Sequence, residues 1–352
     1  MAKTSPTFQL KWLWNFSRRN RPQGFTLIEL LIVTIIAAGI ITGLLYMVIE
    51  LMGSDQREAS RNETQRELQR AMDYMSNEMR EAIYVYTGEC LQGQGALGVD
   101  SPPFCPGLTP YLPAALSTES IPVVAFWRQQ QIPTVLRNQC GAANNPALAT
   151  VPCLTTHSYA LVVYSLSTAN TGNLWKGRAR ITRYALTQFD ERTGAPTVGY
   201  VSPAQAINFG GWPFGRGANN TVVNLQAQRP TGNPAVLVDF VDDGRGAQAS
   251  GIPSLVTNAV CPNSAATPGI DYSLSPTTTA LNNAGLGNAR TSFYACVSTI
   301  RDTDPGVNQD SILFVRGNAR GRPGIATDRA FLPTLETRVL SRGILDRDPS
   351  AE

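Results

Sequence analysis

From Leu30 to Ile49 the chain runs for twenty residues without a charge. At about 1.5 Å per helical residue they cover about 30 Å, the thickness of a bilayer's hydrocarbon core, so the run predicts a membrane-crossing helix. One carboxylate, Glu29, stands at its head. From Ser54 the apolar band narrows: Leu68, Met72, Met75, Met79, Ile83 and Tyr86 recur at steps of 4, 3, 4, 4 and 3, which marks a single helical stripe. Glu58 with Arg61, Glu63 with Arg66, and Glu67 with Arg70 sit three apart on the polar side, in reach of one another. No proline occurs between Pro22 and Pro102. The pattern therefore predicts one long helix from Thr26 to Val85, with Gly39, Gly43 and Gly53 as its soft points. Its first half, apolar all round, requires lipid or other helices; its second half needs only one partner, such as a sheet of the same chain. Fewer than four clean heptads set a coiled-coil stalk aside.

Beyond the helix the period changes. Gly88 to Asn145 is rich in Pro, Gly, Gln and Cys and reads as loops, with a strand at Ile121 to Trp127. Tyr159 to Leu166 is a continuous apolar run, which predicts a strand buried on both faces. In Arg178 to Leu186, Ala179, Ile181, Arg183 and Ala185 alternate with Arg180, Thr182 and Tyr184, and the turn-like Thr168 to Lys176 makes a hairpin of the two. Further strands are predicted at Ala235 to Val241, Ser292 to Ile300 and Ser311 to Arg316, with a final strand or docked segment at Phe331 to Leu340. Asn258 to Asn288 is small, polar and rich in Pro, Thr and Asn, and reads as a surface insertion anchored through Cys261 and Cys296. The expected fold class is α+β: a long N-terminal helix, transmembrane and then amphipathic, packed on one antiparallel β-rich, loop-rich domain.

Composition refines the picture. The 352 residues are 43% hydrophobic and 16% charged, enough for one large or two small domains besides the helix. Lys3, Lys11, Arg18, Arg19 and Arg21 precede Gly24 without a single acid, so the positive-inside tendency keeps that end cytoplasmic and exports the chain beyond Leu51. Without those five cations the net charge falls from +3 to −2, and no basic balance suggests nucleic acid. Cys90, Cys105, Cys140, Cys153, Cys261 and Cys296 all lie beyond the membrane run, where an oxidising space favours disulfides. Six cysteines allow many pairings; loop length favours 90 with 105, 140 with 153 and 261 with 296. With one His and no C-x-x-C pair, a zinc site is not expected.

No constellation in the sequence argues for catalysis or for a cofactor. His157 next to Ser158 lacks a G-x-S-x-G elbow, and no G-x-x-x-x-G-K-[ST] occurs. Asp302, Asp304, Asn308 and Asp310 are the stronger calcium candidate, without EF-hand spacing, and Asp239, Asp242 and Asp243 the weaker; solvated turns explain both. Trp212, Phe214 and Arg216 are aromatic and basic but too few to define a ligand or DNA site.

The membrane run is too long for a secretory signal's apolar core, and Glu50-Leu51-Met52-Gly53-Ser54 offers no small-residue cleavage site. A plain anchor leaves Glu29 unexplained, because a carboxylate in a bilayer costs about 2.5–3.5 kcal/mol near the centre and less at the edge. Gly24-Phe25-Thr26-Leu27-Ile28-Glu29 followed by a long apolar run resembles the class III signal of type IV pilins and type II secretion pseudopilins. The resemblance implies that a prepilin peptidase cuts between Gly24 and Phe25 and methylates Phe25. It also implies that Glu29 pairs with the amino group of a neighbouring subunit during assembly. The expected divisions are then a leader at 1–24, a transmembrane and assembly helix at 25–53, an amphipathic continuation at 54–86 and an exported head at 87–352.

The Met-rich continuation and the strand spacing are similar to large minor pilins of the PilW kind and J-type pseudopilins. The Thr/Asn/Gln-rich loops and the Leu332-Pro333-Thr334-Leu335-Glu336-Thr337 ending are similar to pseudopilins linked to polysaccharide secretion in filamentous cyanobacteria. Together these resemblances imply a non-enzymatic minor pilin or pseudopilin. It would reside in the inner membrane and then in a pilus or pseudopilus, at low copy near the tip. Its partners would be the peptidase, other pilins and the assembly platform, and DNA only in an uptake pilus. A J-type secretion or DNA-uptake pseudopilin is the alternative within the class. A membrane-anchored extracytoplasmic enzyme or receptor is the alternative outside it.

Overall fold

The long helix α1 runs from Leu27 to Arg80. Its start is fixed locally: the Thr26 hydroxyl accepts the Glu29 N–H at 3.3 Å, and an acid three residues after a threonine cap is the capping-box spacing. The computed structural model describes residues 24–93, 104–117, 119–140, 151–153, 156–244, 259–262, 271–287, 289–299, 308–325 and 331–342. These fall into two compact units divided between Asp55 and Gln56. The helix continues without a break through Gly39, Gly43 and Gly53.

In the second unit the predicted stripe is a buried face. Leu68, Met72, Met75 and Met79 are at most 4% exposed, with Ser60, Thr64 and Ala71 on the same side. The helix stops earlier than its period suggests. A turn at Glu81 leads into strand β1 (Ala82–Val85), so Ile83 and Tyr86 are buried through β1 and its exit, not through the helix. The cause is local: Ile83, Tyr84, Val85 and Tyr86 are β-branched or aromatic, and they pair better in a sheet than they pack around a turn.

After β1 come α2 (Gly88–Gln92), β2 (Ser120–Gln131), α3 (Thr134–Arg137), β3 (His157–Ser167), β4 (Ala179–Leu186), β5 (Phe214–Arg216), β6 (Val222–Asn224) and β7 (Ala235–Val241). The chain then forms β8 (Tyr272–Ser275), α4 (Thr278–Asn283), β9 (Phe293–Ser298), β10 (Asp310–Arg316) and β11 (Thr334–Leu340). One antiparallel sheet has the order β1-β2-β3-β4-β7, and a second has β11-β10-β9-β8; β5 and β6 form a separate hairpin. The predicted β3–β4 hairpin is present, with Val163 opposite Tyr184. Part of the segment read as a surface insertion, 271–287, is structural: it supplies edge strand β8 and α4.

The first sheet is buried on both faces, as the apolar run of β3 predicts. Phe126, Val162, Tyr164, Leu166 and Ile181 face a core shared with α1 and with β9, β10 and β11 of the second sheet. Their neighbours Trp127, Leu161, Val163, Tyr184 and Leu186 face a second core closed by α2 and by loops carrying Leu108, Leu112, Phe209 and Trp212. This alternation is the two-residue period of a strand. The polar ends of the large aromatics are satisfied: Trp127 Nε1 donates to the Tyr86 hydroxyl at 3.0 Å, Tyr86 donates to the Phe209 carbonyl at 2.7 Å, and Trp212 Nε1 donates to the Val201 carbonyl at 2.8 Å.

The two sheets meet along a seam. The Gln309 amide takes the place of a missing strand beside β1: its Oε1 accepts the Val85 N–H at 2.8 Å and its Nε2 donates to the Val85 carbonyl at 2.7 Å. Elsewhere on the seam, Val241 and Gly317 form an antiparallel bridge.

Candidate functional site

Gly24, Phe25 and Thr26 precede the first helical turn, and all three are exposed. Phe25 is 80% exposed, and the Gly24–Phe25 peptide bond lies ahead of the helix that starts at Leu27. Glu29 lies in the first turn, exposed between Ile28 and Leu30. A carboxylate there also complements the partial positive charge of the helix N-terminus. No cation pairs with it among the described residues. From Leu27 to Met52 the large apolar side chains are exposed all around the helix, Leu31 at 47% and Leu27 at 86%. Both threonine hydroxyls of this stretch, and that of Ser54 just beyond it, bond back to the helix. Thr34 donates to the Leu31 carbonyl at 2.8 Å, Thr42 to Ala38 at 2.7 Å and Ser54 to Leu51 at 2.9 Å. An apolar surface with its backbone and threonine hydroxyls internally bonded is suited to a medium without water. By length and composition this helix can cross a membrane.

The cysteines form the pairs Cys90–Cys105, Cys140–Cys153 and Cys261–Cys296, with Cα separations of 4.9, 5.4 and 5.5 Å. The first pair pins α2 into the second core beneath Gly210, where an added Cβ would lie 3.2 Å from Cys90 Sγ.

The calcium candidates come apart. Asp302 and Asp304 lie outside the described residues. Asn308 and Asp310 lie within them, and Asp310 is buried and already holds the Arg338 guanidinium (Nε to Oδ2, 2.8 Å) and the Tyr272 hydroxyl. In the second cluster each acid has its own protein partner. Asp242 Oδ2 accepts from Arg316 Nε at 2.9 Å and its Oδ1 from Asn318 at 3.0 Å; Asp243 pairs with Arg178 at 3.3 Å; Asp239 accepts the Gly177 N–H at 3.0 Å. The described residues contain no group of three acids, cysteines or histidines suited to a metal. Trp212 is fully buried and Phe214 is 8% exposed, so neither offers a face to a ligand; only Arg216 of that trio is exposed. His157 opens β3 beside Ser158, in register with Gln131 and Gln130 of β2.

Sequence reasoning missed the residues that fasten α1 to the sheet within the second unit. Glu78 is 8% exposed and accepts from Arg183 Nε at 2.9 Å and from the Tyr164 hydroxyl, with Arg128 Nη2 at 3.5 Å. Burial pushes the Glu78 carboxyl up; hydrogen bonds from Arg183 and Tyr164, then the Arg183 and Arg128 charges, outweigh it and hold the group below its usual value. Burial and the bond to Glu78 push the Tyr164 phenol well up. The helix acids Glu63 and Glu67 reach a more distant cation than the Arg66 and Arg70 their spacing suggested. Arg322, 6% exposed, meets Glu63 at 2.7 Å and also holds Glu67, while its guanidinium lies 4.0 Å over the Phe240 ring. A helical stripe read from sequence gave no reason to place an acid at 78 in the core; its partners are 50 or more residues away.

Compared with models of protein families, with curated proteins and with solved structures, the chain matches none.

Proposed function

We propose that the chain is a minor pilin or pseudopilin. Its N-terminal helix rests in the inner membrane, is cut after Gly24 and methylated at Phe25, and then packs among like helices in a type IV pilus or secretion pseudopilus. The observation that carries this reading is Glu29: an exposed acid in the first turn, at the head of the uncharged and exposed run Leu30 to Ile49, with no cation to pair it among the described residues. In lipid such a group is costly, and a neighbouring subunit's amino terminus would offset the cost while fixing axial register. The uncovered apolar surface from Leu27 to Met52 supports the same reading, because like helices could replace lipid around it. Three disulfides downstream fit an exported head in an oxidising compartment. Low-copy incorporation near a tip is part of the proposal.

Mass spectrometry of the amino terminus tests it. A methylated Phe25 terminus in wild-type cells, and an intact leader in cells without the peptidase, are expected. A Met1 terminus in both would leave a simple membrane anchor.

A further inference from the structure

The edges of the two sheets are protected unequally. β1 is four residues long and its Val85 backbone is occupied by the Gln309 amide; β8 lies so close to α2 that a Cβ on Gly88 would collide with the Leu274 carbonyl; β11 exposes Glu336 and Arg338 at alternate positions. Each is a recognised way of discouraging a further strand. β7 differs. On the side away from β4 its far end is paired, Phe240 accepting the Asn318 N–H at 2.7 Å and Asp242 donating to the Arg316 carbonyl at 3.0 Å. Residues 235–239 make no backbone hydrogen bond on that side among the described residues.

Beside this open edge runs a groove of about 470 Å³ between β7 and α1, with Val236 and Val238 on one wall and Tyr74 and Trp175 at its mouth. Tyr74 is 48% and Trp175 38% exposed. The charges on the rim are mostly neutralised within the chain: Glu67 by Arg322, and Asp239 by the Gly177 N–H with Arg180 at 3.9 Å. Arg70 is the exception, exposed and without an ion-pair partner among the described residues.

We propose that this groove receives an extended segment of a partner protein. The segment adds as a strand to β7, places apolar side chains against Val236, Tyr74 and Trp175, and sets a carboxylate opposite Arg70. An open strand edge supplies main-chain hydrogen bonds, the groove selects alternate side chains, and the unpaired guanidinium selects an acid. The inference stands on the second unit alone and holds whatever the N-terminal helix assembles with.

The test uses the full chain in detergent micelles and fluorescent peptides of about seven residues, the length of a typical edge strand, alternating Val and Thr around a central Glu. Saturable anisotropy is expected for the Glu peptide, with affinity more than about tenfold weaker when the centre is Lys. Arg70→Glu, a change at an exposed helix position, should reverse that preference, and N-methylation at alternate peptide bonds should remove binding. Equal binding of the Glu and Lys peptides, an unchanged preference in Arg70→Glu, or full binding of the methylated peptide would overturn the proposal. So would concentration-dependent self-association that Arg70→Glu abolishes, since the occupant would then be a second copy.

Discussion

Glu78→Gln is the most informative single change in the second unit. The substitution keeps the side chain's shape and an acceptor for Tyr164, removes the charge that faces Arg183 and Arg128, and turns the oxygen that accepts from Arg183 Nη2 into an NH2 donor. Breaking a buried ion pair by neutralising one partner costs about 3–5 kcal/mol, because the remaining cations are left uncompensated. Arg183 and Arg128 each retain 23% side-chain exposure, so water recovers part of that, and the expected loss is about 2–3 kcal/mol. Urea unfolding of the full chain in detergent, followed by the fluorescence of buried Trp127 and Trp212, would measure it at pH 7. The pH dependence gives an independent check. The Glu78 carboxyl is held below its unfolded value, so its contribution is complete above the unfolded pKa and is lost as pH falls through the folded one. Wild type should therefore lose stability on acidification below about pH 5, and Glu78→Gln should lack that part of the slope. A variant within about 0.5 kcal/mol of wild type at pH 7, with the same acid slope, would refute the reasoning.

Other parts of the chain give further expected outcomes. Glu29→Ala should leave cleavage after Gly24 intact and impair incorporation into filaments, read by amino-terminal mass spectrometry and by filament fractionation; normal incorporation would remove the register role. Under mild reductant, alkylation should label Cys140 and Cys153, both partly exposed, before Cys90 and Cys105, which are 2% and 3% exposed. Replacing Cys90 and Cys105 together should cost about 3 kcal/mol in urea unfolding, given the separation of 15 residues. Gly88→Ala should destabilise by about 1–3 kcal/mol, because its Cβ meets the Leu274 backbone and not a movable side chain.

The features that the chain's pattern disclosed and those it hid have physical causes. β3, β7 and β10 were legible because an uninterrupted or alternating apolar run bounded by turn residues has few other uses. The end of α1 was not: Ile83 and Tyr86 prolong the three-four spacing by coincidence, and the β-branched and aromatic cluster at 83–86 was the signal that outweighed it. β8 escaped because four residues inside a polar stretch become a strand only by pairing with β9. At the N-terminus the readable features are all local, a cap, an acid and an apolar run, whereas Arg322 and Asp242 find partners 74 to 259 residues away, beyond the reach of any spacing rule.

The Gln309 amide has one more consequence. It joins β1 to the second sheet with a group that does not ionise at any ordinary pH, while α1 is held by carboxylates and guanidinium groups. Acid and salt should therefore act on the second unit unevenly. Acid should act first on the Glu78 pairing of α1, whereas the Gln309 bonds keep β1 stitched to the second sheet at any ordinary pH, so that the earliest loosening under acid would be where the helix meets the β scaffold.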